Sequence, residues 1–294
     1  MDEGGIPLRE GSMSEFFDTF PEVSGEVRLR PLNQAPKYRR SEAELYIAAL
    51  RGRRRVLDVG CGCGYPSLYI APHVGEVVGL DASEEMIEMA RRNVKHLGID
   101  NARFLVSRED LPFGGAEFDG ATLAGVLESI DMGCARRLVQ EVRRVLEPGG
   151  LLAASNQDWA AAMARKPPRE REGKHLVWFR DDKMIMARRE ASQRPGMTRW
   201  AFYLIRPESP SGQKLRAELT NDFPTVTTMG PNDLGREDVL DAWQAEAAQF
   251  THDELSELVT TCGFAEVQIE EYEQLQAKML FLTASRPPAF EGPG

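Results

Sequence analysis

The sequence is short of the residues on which several classes of protein depend. Its four cysteines do not suggest a disulfide framework, and Cys61 and Cys63 have no second His/Cys pair nearby to complete a metal site. Acidic residues exceed basic ones by 46 to 36, and the net charge of −10 argues against a nucleic acid as partner. No apolar run approaches membrane-spanning length, and the N-terminus lacks the apolar core of a signal peptide. We therefore predict a cytoplasmic protein that uses no metal, membrane or nucleic acid.

The most informative stretch covers residues 56–71. It opens with an apolar run typical of a buried parallel strand and then places an acid and three glycines at every second position, Asp58, Gly60, Gly62 and Gly64. A helix pattern follows. Glycines at a strand-to-helix turn allow positive φ angles and a close approach of the backbone to a ligand, and the start of the helix leaves unpaired N–H groups. Because a glycine-rich turn is also typical of a tight connection without a ligand, the ligand prediction depends on the segments that follow.

A second apolar strand, residues 77–81, ends at Asp81, where a carboxylate can accept both hydroxyls of an adenosine ribose. Dinucleotide-binding folds use G-x-G-x-x-G, whereas this chain has an acid followed by G-x-G-x-G. The stretch resembles motif I of the class I S-adenosylmethionine-dependent methyltransferases. Four downstream segments are similar to that family as well: residues 77–93, 107–113, 117–130 and 142–156.

The resemblance covers roughly residues 45–156 and 251–286. It implies an α/β fold with a doubly wound, mostly parallel, seven-stranded Rossmann-like sheet, S-adenosylmethionine as cofactor and S-adenosylhomocysteine as product. Many relatives carry an acid for the adenine amino group where this chain has Ser107, whose hydroxyl can accept the same hydrogen bond, and Glu109 or Asp110 is an alternative for that contact. The cofactor-binding residues that we predict are Asp58, Gly60, Cys61, Gly62, Gly64, Asp81, Ala82, Met86, Ser107, Arg108, Glu109, Leu123 and Ala124.

The length of 294 residues suggests about two domains, and 42% hydrophobic residues supply a sizeable core. We predict a cofactor-binding domain made of residues 51–156 and 251–286, preceded by an N-terminal arm and cap helices over 1–50 and followed by a disordered tail over 287–294. Within the N-terminal part, Ser41 with Glu44 three residues later predicts a capped helix over 41–50.

Residues 157–250 interrupt the family pattern, and we interpret them as an insertion that forms a lid over the acceptor. Its first half predicts an antiparallel meander over 175–180, 183–190 and 197–206, and helices are predicted over 211–221 and 236–249. The third strand carries aromatic residues on both faces. One face packs on the body, and the other is left for a substrate or for a second copy of the chain in a homodimer.

Candidate residues for the acceptor side come from strand ends and from the insertion. His175, Glu128 and Asp158 are the candidates for a general base or for anchoring a cationic amine. The aromatic residues predicted to contact the acceptor are Tyr38, Trp178, Trp200 and Tyr203, for which packing within the lid is the competing interpretation.

These features predict transfer of a methyl group to an oxygen or nitrogen atom of a small molecule, either an aromatic compound or an amine. One alternative is an arsenite-type or carbon methyltransferase; arsenite chemistry requires clustered thiolates, and the insertion contains no cysteine. Another alternative is a protein that binds the cofactor for a regulatory role or for a different reaction, since the pocket motifs are the same in that case.

Overall fold

A computed structural model describes residues 6–11, 28–107, 111–158, 175–180, 183–194, 196–218, 225–274 and 277–288. The helices and strands are β1 (Arg9–Glu10), α1 (Lys37–Leu50), β2 (Arg55–Val59), α2 (Ser67–Ile70), β3 (Glu76–Asp81), α3 (Glu84–Leu97), β4 (Ala102–Val106), β5 (Phe118–Ala124), α4 (Met132–Val145), β6 (Leu146–Gln157), β7 (His175–Arg180), β8 (Lys183–Ala191), β9 (Met197–Ile205), α5 (Pro210–Glu218), β10 (Thr225–Thr227), β11 (Val239–Ala248), α6 (His252–Thr261), β12 (Ala265–Gln274) and β13 (Ala277–Ser285).

The chain divides into two compact units. The larger unit contains residues 26–164 and 248–294, and the smaller unit contains residues 1–25 and 165–247. The segment that we predicted as one N-terminal arm, residues 1–50, is therefore divided between the units. Its aromatic stretch at 16–20 lies outside the described residues.

The larger unit is built on a seven-stranded sheet in the order β12-β13-β6-β5-β2-β3-β4. The strands from β2 to β6 run parallel to one another, β13 is antiparallel to β6, and β12 is antiparallel to β13. The apolar residues of β2 and β3, including Val56, Leu57, Val77 and Val78, are fully buried, as expected for parallel strands with helices on both faces. The predicted fold class is confirmed.

The order of this sheet reverses at β2, because β3 continues it to one side and β5 lies on the other. Loops that leave the carboxyl ends of two such strands separate and form a crevice, which is where open α/β sheets bind ligands. The glycine turn leaves β2 at this crevice, and the loop with Gly125 and Val126 leaves β5 there.

Helix boundaries in the larger unit follow from capping residues, with one correction. The Ser83 hydroxyl accepts a hydrogen bond from the Met86 N–H at 3.1 Å, and Thr251 forms a capping box with Glu254, so the sequence pattern of a capping residue before a helix predicts both starts correctly. The predicted cap at Ser41 is wrong, since α1 begins at Lys37 with Pro36 as the preceding residue. The ring of Pro36 fixes its φ angle, which is −53°, near the helical value. The helix therefore begins at Lys37, four residues before Ser41.

The smaller unit contains a six-stranded sheet in the order β1-β11-β9-β8-β7-β10. Its antiparallel β7-β8-β9 meander and the helix α5 were predicted from the sequence, and both are confirmed.

The predicted helix over 236–249 is wrong, because these residues form β11 between β1 and β9. The segment is rich in alanine, glutamate and glutamine, which favour helices. Hydrogen bonding to two neighbouring strands and the burial of Trp243 outweigh that preference. Across the described residues, no helix is long and apolar enough to cross a membrane.

Candidate functional site

The glycine turn after β2 uses its three glycines for two different purposes. All three have positive φ angles, +70° at Gly60, +50° at Gly62 and +97° at Gly64. A Cβ atom at Gly60 would clash with Val126, and one at Gly64 would lie 2.9 Å from a methyl group of Leu68. A Cβ atom at Gly62 would meet nothing within 4 Å. The first and third glycines are therefore required by packing, and the second leaves open space beside its half-buried backbone.

Asp58 lies beneath this turn with no exposed surface. Its two carboxylate oxygens accept hydrogen bonds from the hydroxyls of Ser67 and Thr122, each at 2.6 Å. Burial raises the pKa of Asp58 from 3.8 to about 7, and the charge of Asp81 acts in the same direction. The side chain joins β2 to β5 and to the start of α2, so it acts on a ligand only through the position of the turn.

Asp81 occupies the rim of the crevice at the end of β3. One carboxylate oxygen accepts a hydrogen bond from the Gly62 N–H at 2.8 Å, and the other accepts one from the Ser83 N–H at 2.9 Å. The side chain is half-buried. A carboxylate has about four lone-pair directions, so these bonds are compatible with further bonds to a pair of ligand hydroxyls. The acid is thus fixed next to the half-buried backbone of the turn.

Burial divides the predicted cofactor residues into two groups. The half-buried residues, which can contact a ligand directly, are Gly60, Gly62, Asp81, Ala82, Ser107 and Ala124; the buried ones are Asp58, Cys61, Gly64, Met86 and Leu123. Ser107 follows β4, and its N–H donates to the Asp81 main-chain oxygen at 2.9 Å. Arg108 and Glu109 lie outside the described residues, so their predicted role at the adenine stays a prediction.

The two candidate acids of the larger unit lie near each other where β5 and β6 end. Glu128 is half-buried, and its carboxylate accepts a hydrogen bond from the Gln157 N–H at 2.7 Å. Asp158, the next residue, is buried, and its carboxylate lies 3.6 Å from the Lys278 ammonium group. That ammonium group is also 2.5 Å from Glu271. Asp158 therefore has a counter-charge, and both acids stay candidates for the acceptor side.

The remaining candidates lie on α1 and in the smaller unit. Tyr38 is in the first turn of α1, and His175 and Trp178 are in β7, but the side chains of these three are outside the part of the chain that the structure describes. Their predicted roles stay predictions.

Trp200 and Tyr203 are both on β9 of the smaller unit. The half-buried Trp200 ring stacks on Phe202, with 6.0 Å between the ring centroids. Tyr203 is fully buried in the hydrophobic core of the smaller unit together with Val177 and Met186. In the described structure the Tyr203 ring is thus a core residue, and contact of either ring with an acceptor stays a prediction.

A cluster of polar residues that the sequence analysis did not single out lies beside the glycine turn. We call it the Glu42 cluster; it consists of Arg39, Glu42, Tyr46, Tyr65 and Tyr272. Glu42 is 5% exposed, and its two oxygens accept hydrogen bonds from the Tyr65 hydroxyl at 2.6 Å and the Tyr272 hydroxyl at 2.9 Å. The Arg39 guanidinium lies over the Tyr65 ring, 4.6 Å from its centroid. A sequence signal exists, because the three α1 residues of the cluster are spaced i, i+3 and i+7 on one helix face.

The tyrosines of this cluster act as hydrogen-bond donors. Burial raises the pKa of Tyr46, Tyr65 and Tyr272, and the negative charge of Glu42 raises each of them further. The Tyr46 hydroxyl lies 2.9 Å from the Ser155 hydroxyl of β6 and donates to it. The cluster therefore links α1, the glycine turn, β6 and β12 through protonated phenols.

Residues 56–150 match the family model of a methyltransferase domain. Among curated relatives, the uncharacterised methyltransferase YcgJ of Bacillus subtilis is 38% identical over 104 residues, which cover 35% of this chain and 40% of the relative. The uncharacterised methyltransferase sll0829 of Synechocystis is 35% identical over 127 residues, which cover 43% of this chain and 58% of the relative. The chain thus spans about half the length of these relatives.

One of several solved structures that match nearly the whole chain serves as an example. It is the CcbJ methyltransferase from Streptomyces caelestis, with a TM-score of 0.62 and 16% identity over 95% of this chain and 100% of that one. At this identity the likeness concerns the fold. The matched segment contains the glycine turn, Asp81 and the central strands of the seven-stranded sheet. The chain thus carries a methyltransferase domain over residues 56–150.

Proposed function

We propose that this protein transfers a methyl group from S-adenosylmethionine to an oxygen or nitrogen nucleophile of a small molecule. The observation that carries the proposal is the half-buried backbone of Gly62, which has open space where a side chain would be and is hydrogen-bonded to the half-buried carboxylate of Asp81 at the point where the sheet order reverses. A bare glycine suits close approach of a ligand, and a fixed carboxylate suits a ribose diol.

The described residues fit this cofactor. Gly60 and Gly62 would support its methionine part, Asp81 its ribose, and Ser107 or the adjacent backbone its adenine. The bound cofactor supplies a methyl group on a sulfonium, which is a good leaving group. The protein then has to hold the acceptor in line with the departing sulfur and exclude water, and positioning of this kind accounts for much of the barrier lowering in such displacements.

Glu128 is the residue that we propose next to the acceptor. Its carboxylate is held by the Gln157 N–H at the ends of β5 and β6, and it keeps some exposed surface. A hydroxyl acceptor would transfer its proton to this carboxylate, whereas an amine that arrives unprotonated requires no base. The net charge of −10 is consistent with a neutral or cationic acceptor.

The thiol groups argue against arsenite as the acceptor. Cys61 and Cys63 are buried, and burial raises the pKa of both thiols, which disfavours their thiolate forms. Cys134 and Cys262 also have raised pKa values, the first because its thiol is hydrogen-bonded to Asp131 and the second because of burial. Protonated thiols are poor ligands for a soft metalloid.

The test uses S-adenosylmethionine labelled on its methyl group, together with panels of phenols, alcohols and amines. We expect S-adenosylhomocysteine and a labelled product to form with the parent protein and to decrease in Glu128→Gln if the acceptor is a hydroxyl. A matched control is Glu88→Gln on α3, which is exposed. Tight binding of the cofactor without transfer to any acceptor class would favour the non-methylating alternative, and no binding at all would contradict the proposal.

A further inference from the structure

Asn156, near the end of β6, is a polar residue in the interior of the larger unit. None of its surface is exposed, and neither the nitrogen nor the oxygen of its side-chain amide has a hydrogen-bond partner among the described residues. An unpaired amide in the interior carries a free-energy cost, and most buried polar side chains avoid that cost by hydrogen bonding. The amide of Asn156 therefore retains its full capacity to bind a molecule that enters the site.

A second buried asparagine, Asn93 of α3, has the usual arrangement. Its amide nitrogen donates to the Cys63 main-chain oxygen at 2.9 Å, and its amide oxygen accepts a hydrogen bond from the Leu29 N–H at 3.1 Å. Both polar atoms of Asn93 thus stabilise the backbone of the protein itself. Because Asn93 and Asn156 have the same side chain and are both buried, they form a matched pair that differs in its partners.

The position of Asn156 relates it to the acceptor side of the candidate site. The residue before it, Ser155, is hydrogen-bonded to Tyr46 of α1, so Asn156 faces the other side of the sheet and is separate from the Glu42 cluster. The residue after it, Gln157, donates its N–H to the Glu128 carboxylate. Gln157 and Glu128 are both half-buried. The amide thus lies one residue away from the accessible part of the strand end, and an acceptor reaches it when the contact between Glu128 and Gln157 opens.

The chemistry of the amide determines which group it can bind. Its oxygen accepts hydrogen bonds and its nitrogen donates them, side by side. A carboxylate would pair only with the nitrogen, and an ammonium group would pair only with the oxygen. A carboxamide or a lactam pairs with both through two parallel hydrogen bonds. We therefore propose that Asn156 binds a carboxamide or lactam group of the acceptor, an inference that rests on the proposed function. This group anchors the acceptor, and the oxygen or nitrogen that receives the methyl group is a separate atom of the same molecule.

The first test distinguishes an amide that binds a ligand from one that stabilises the fold. It measures thermal unfolding, and the transition that S-adenosylhomocysteine raises is the one of the larger unit. Asn156→Val and Asn156→Leu remove the polar atoms, so the more stable of the two should unfold at or above the parent's temperature. Asn93→Leu should unfold about 4 °C or more below the parent, because the main-chain groups of Leu29 and Cys63 lose their partners.

The second test measures methyl transfer from labelled S-adenosylmethionine to pairs of acceptors. Both members of a pair have the same phenol, alcohol or amine, and a carboxamide in one is a methyl ketone in the other, as in meta-hydroxybenzamide and meta-hydroxyacetophenone. We expect the parent's kcat/KM to be about 100-fold or more higher for the carboxamide, because the ketone leaves the Asn156 oxygen unpaired. In Asn156→Val the preference should fall below about tenfold, while the titrated affinity for S-adenosylhomocysteine stays within about twofold of the parent's.

Three results would overturn the inference and leave the proposed function intact. These are both Asn156 variants unfolding below the parent, a parent that transfers the methyl group to both members of the pairs equally well, and an Asn156→Val variant that keeps the parent's preference. The first of them would show that the amide stabilises the fold. A parent that binds S-adenosylhomocysteine but methylates no member of any pair would contradict the proposed function, and this inference with it.

Discussion

Two acids lie at different depths of the candidate site, one at the rim of the crevice and one in the layer beneath the glycine turn. They differ in whether they can contact a ligand. Asp81 is at the rim, half-buried and bonded to backbone N–H groups. Asp58 is in the layer beneath, fully buried and bonded to two hydroxyls. Both acids belong to the motifs that identify the cofactor site, yet burial separates a residue that can contact a ligand from one that supports the turn. Motif membership therefore predicts the site, and burial assigns the role.

The largest effect that we predict from this comparison concerns Asp58 and the pH dependence of the free energy of unfolding. Its pKa rises from 3.8 to about 7 on folding, so the native state holds a proton that the unfolded state releases between these values. The stability contributed by this group is fully present below about pH 4 and is lost as the pH rises through about 7, by about 4 kcal/mol in total. Asp58→Asn stays neutral and should not lose this stability.

Urea unfolding of the parent and of Asp58→Asn between pH 4 and pH 8 would measure the difference. The control is Asp253→Asn, whose carboxylate is fully exposed on α6 and should not change the pH profile. Parallel stability profiles for the parent and Asp58→Asn would show that Asp58 has the same pKa in both states, and the contrast with the rim would then fail.

The rim should show the opposite behaviour, with an effect on the ligand and little on stability. Asp81→Ala removes the acceptor for the ribose hydroxyls and should weaken binding of S-adenosylhomocysteine by roughly 1.5–3 kcal/mol, as for a charged hydrogen bond. Calorimetric titration measures this loss. Glu85→Ala, an exposed acid four residues further on, is the control and should bind like the parent. An unchanged affinity in Asp81→Ala would mean that another group binds the ribose.

The Glu42 cluster belongs to both layers, since it is buried yet reaches the turn through Tyr65. Tyr272→Phe removes one of the two phenol hydrogen bonds to the buried Glu42 carboxylate. We expect a loss of about 1–2 kcal/mol in the free energy of unfolding, because a buried charge loses a donor. Tyr203→Phe removes a phenol hydroxyl from the core of the smaller unit, and its free energy of unfolding is compared with that of Tyr272→Phe. If Tyr272→Phe is as stable as the parent, then water or another donor replaces the phenol and the cluster is less rigid than its distances suggest.

The sequence predicts most of the larger unit because its signals are local. The caps at Ser83 and Thr251, the glycine turn and the alternation of strands and helices all depend on residues close together in the chain. The two errors have different causes. Pro36 is a local signal that places the start of α1 before Ser41, whereas β11 is a strand because two strands distant in the chain, β1 and β9, flank it.

The same reasoning explains which parts of the candidate site the sequence could give. Gly62 and Asp81 lie in recognisable motifs, whereas the Glu42 cluster joins residues as far apart as Glu42 and Tyr272 and has only a helical spacing as its signal. The prediction that residues 157–250 close the acceptor site has no local signal and stays a prediction.

The smallest effect is expected at Ser107, which we predict to contact the adenine. Ser107 is half-buried, and its N–H bonds to the main chain of Asp81, so the residue is next to the acid that we propose for the ribose. A neutral hydroxyl contributes about 0.5–1.5 kcal/mol to such a contact, so Ser107→Ala should weaken the binding of S-adenosylhomocysteine by about 2- to 10-fold. Ser107→Asp should strengthen binding, because a carboxylate is the better acceptor for the adenine amino group. Titration of both variants beside Glu109→Ala decides the contact. A loss of affinity confined to Glu109→Ala would assign the adenine contact to that acid. Parent affinity in all three variants would assign the contact to backbone groups, and the ribose would then be the only part of the nucleoside that a side chain at the rim binds.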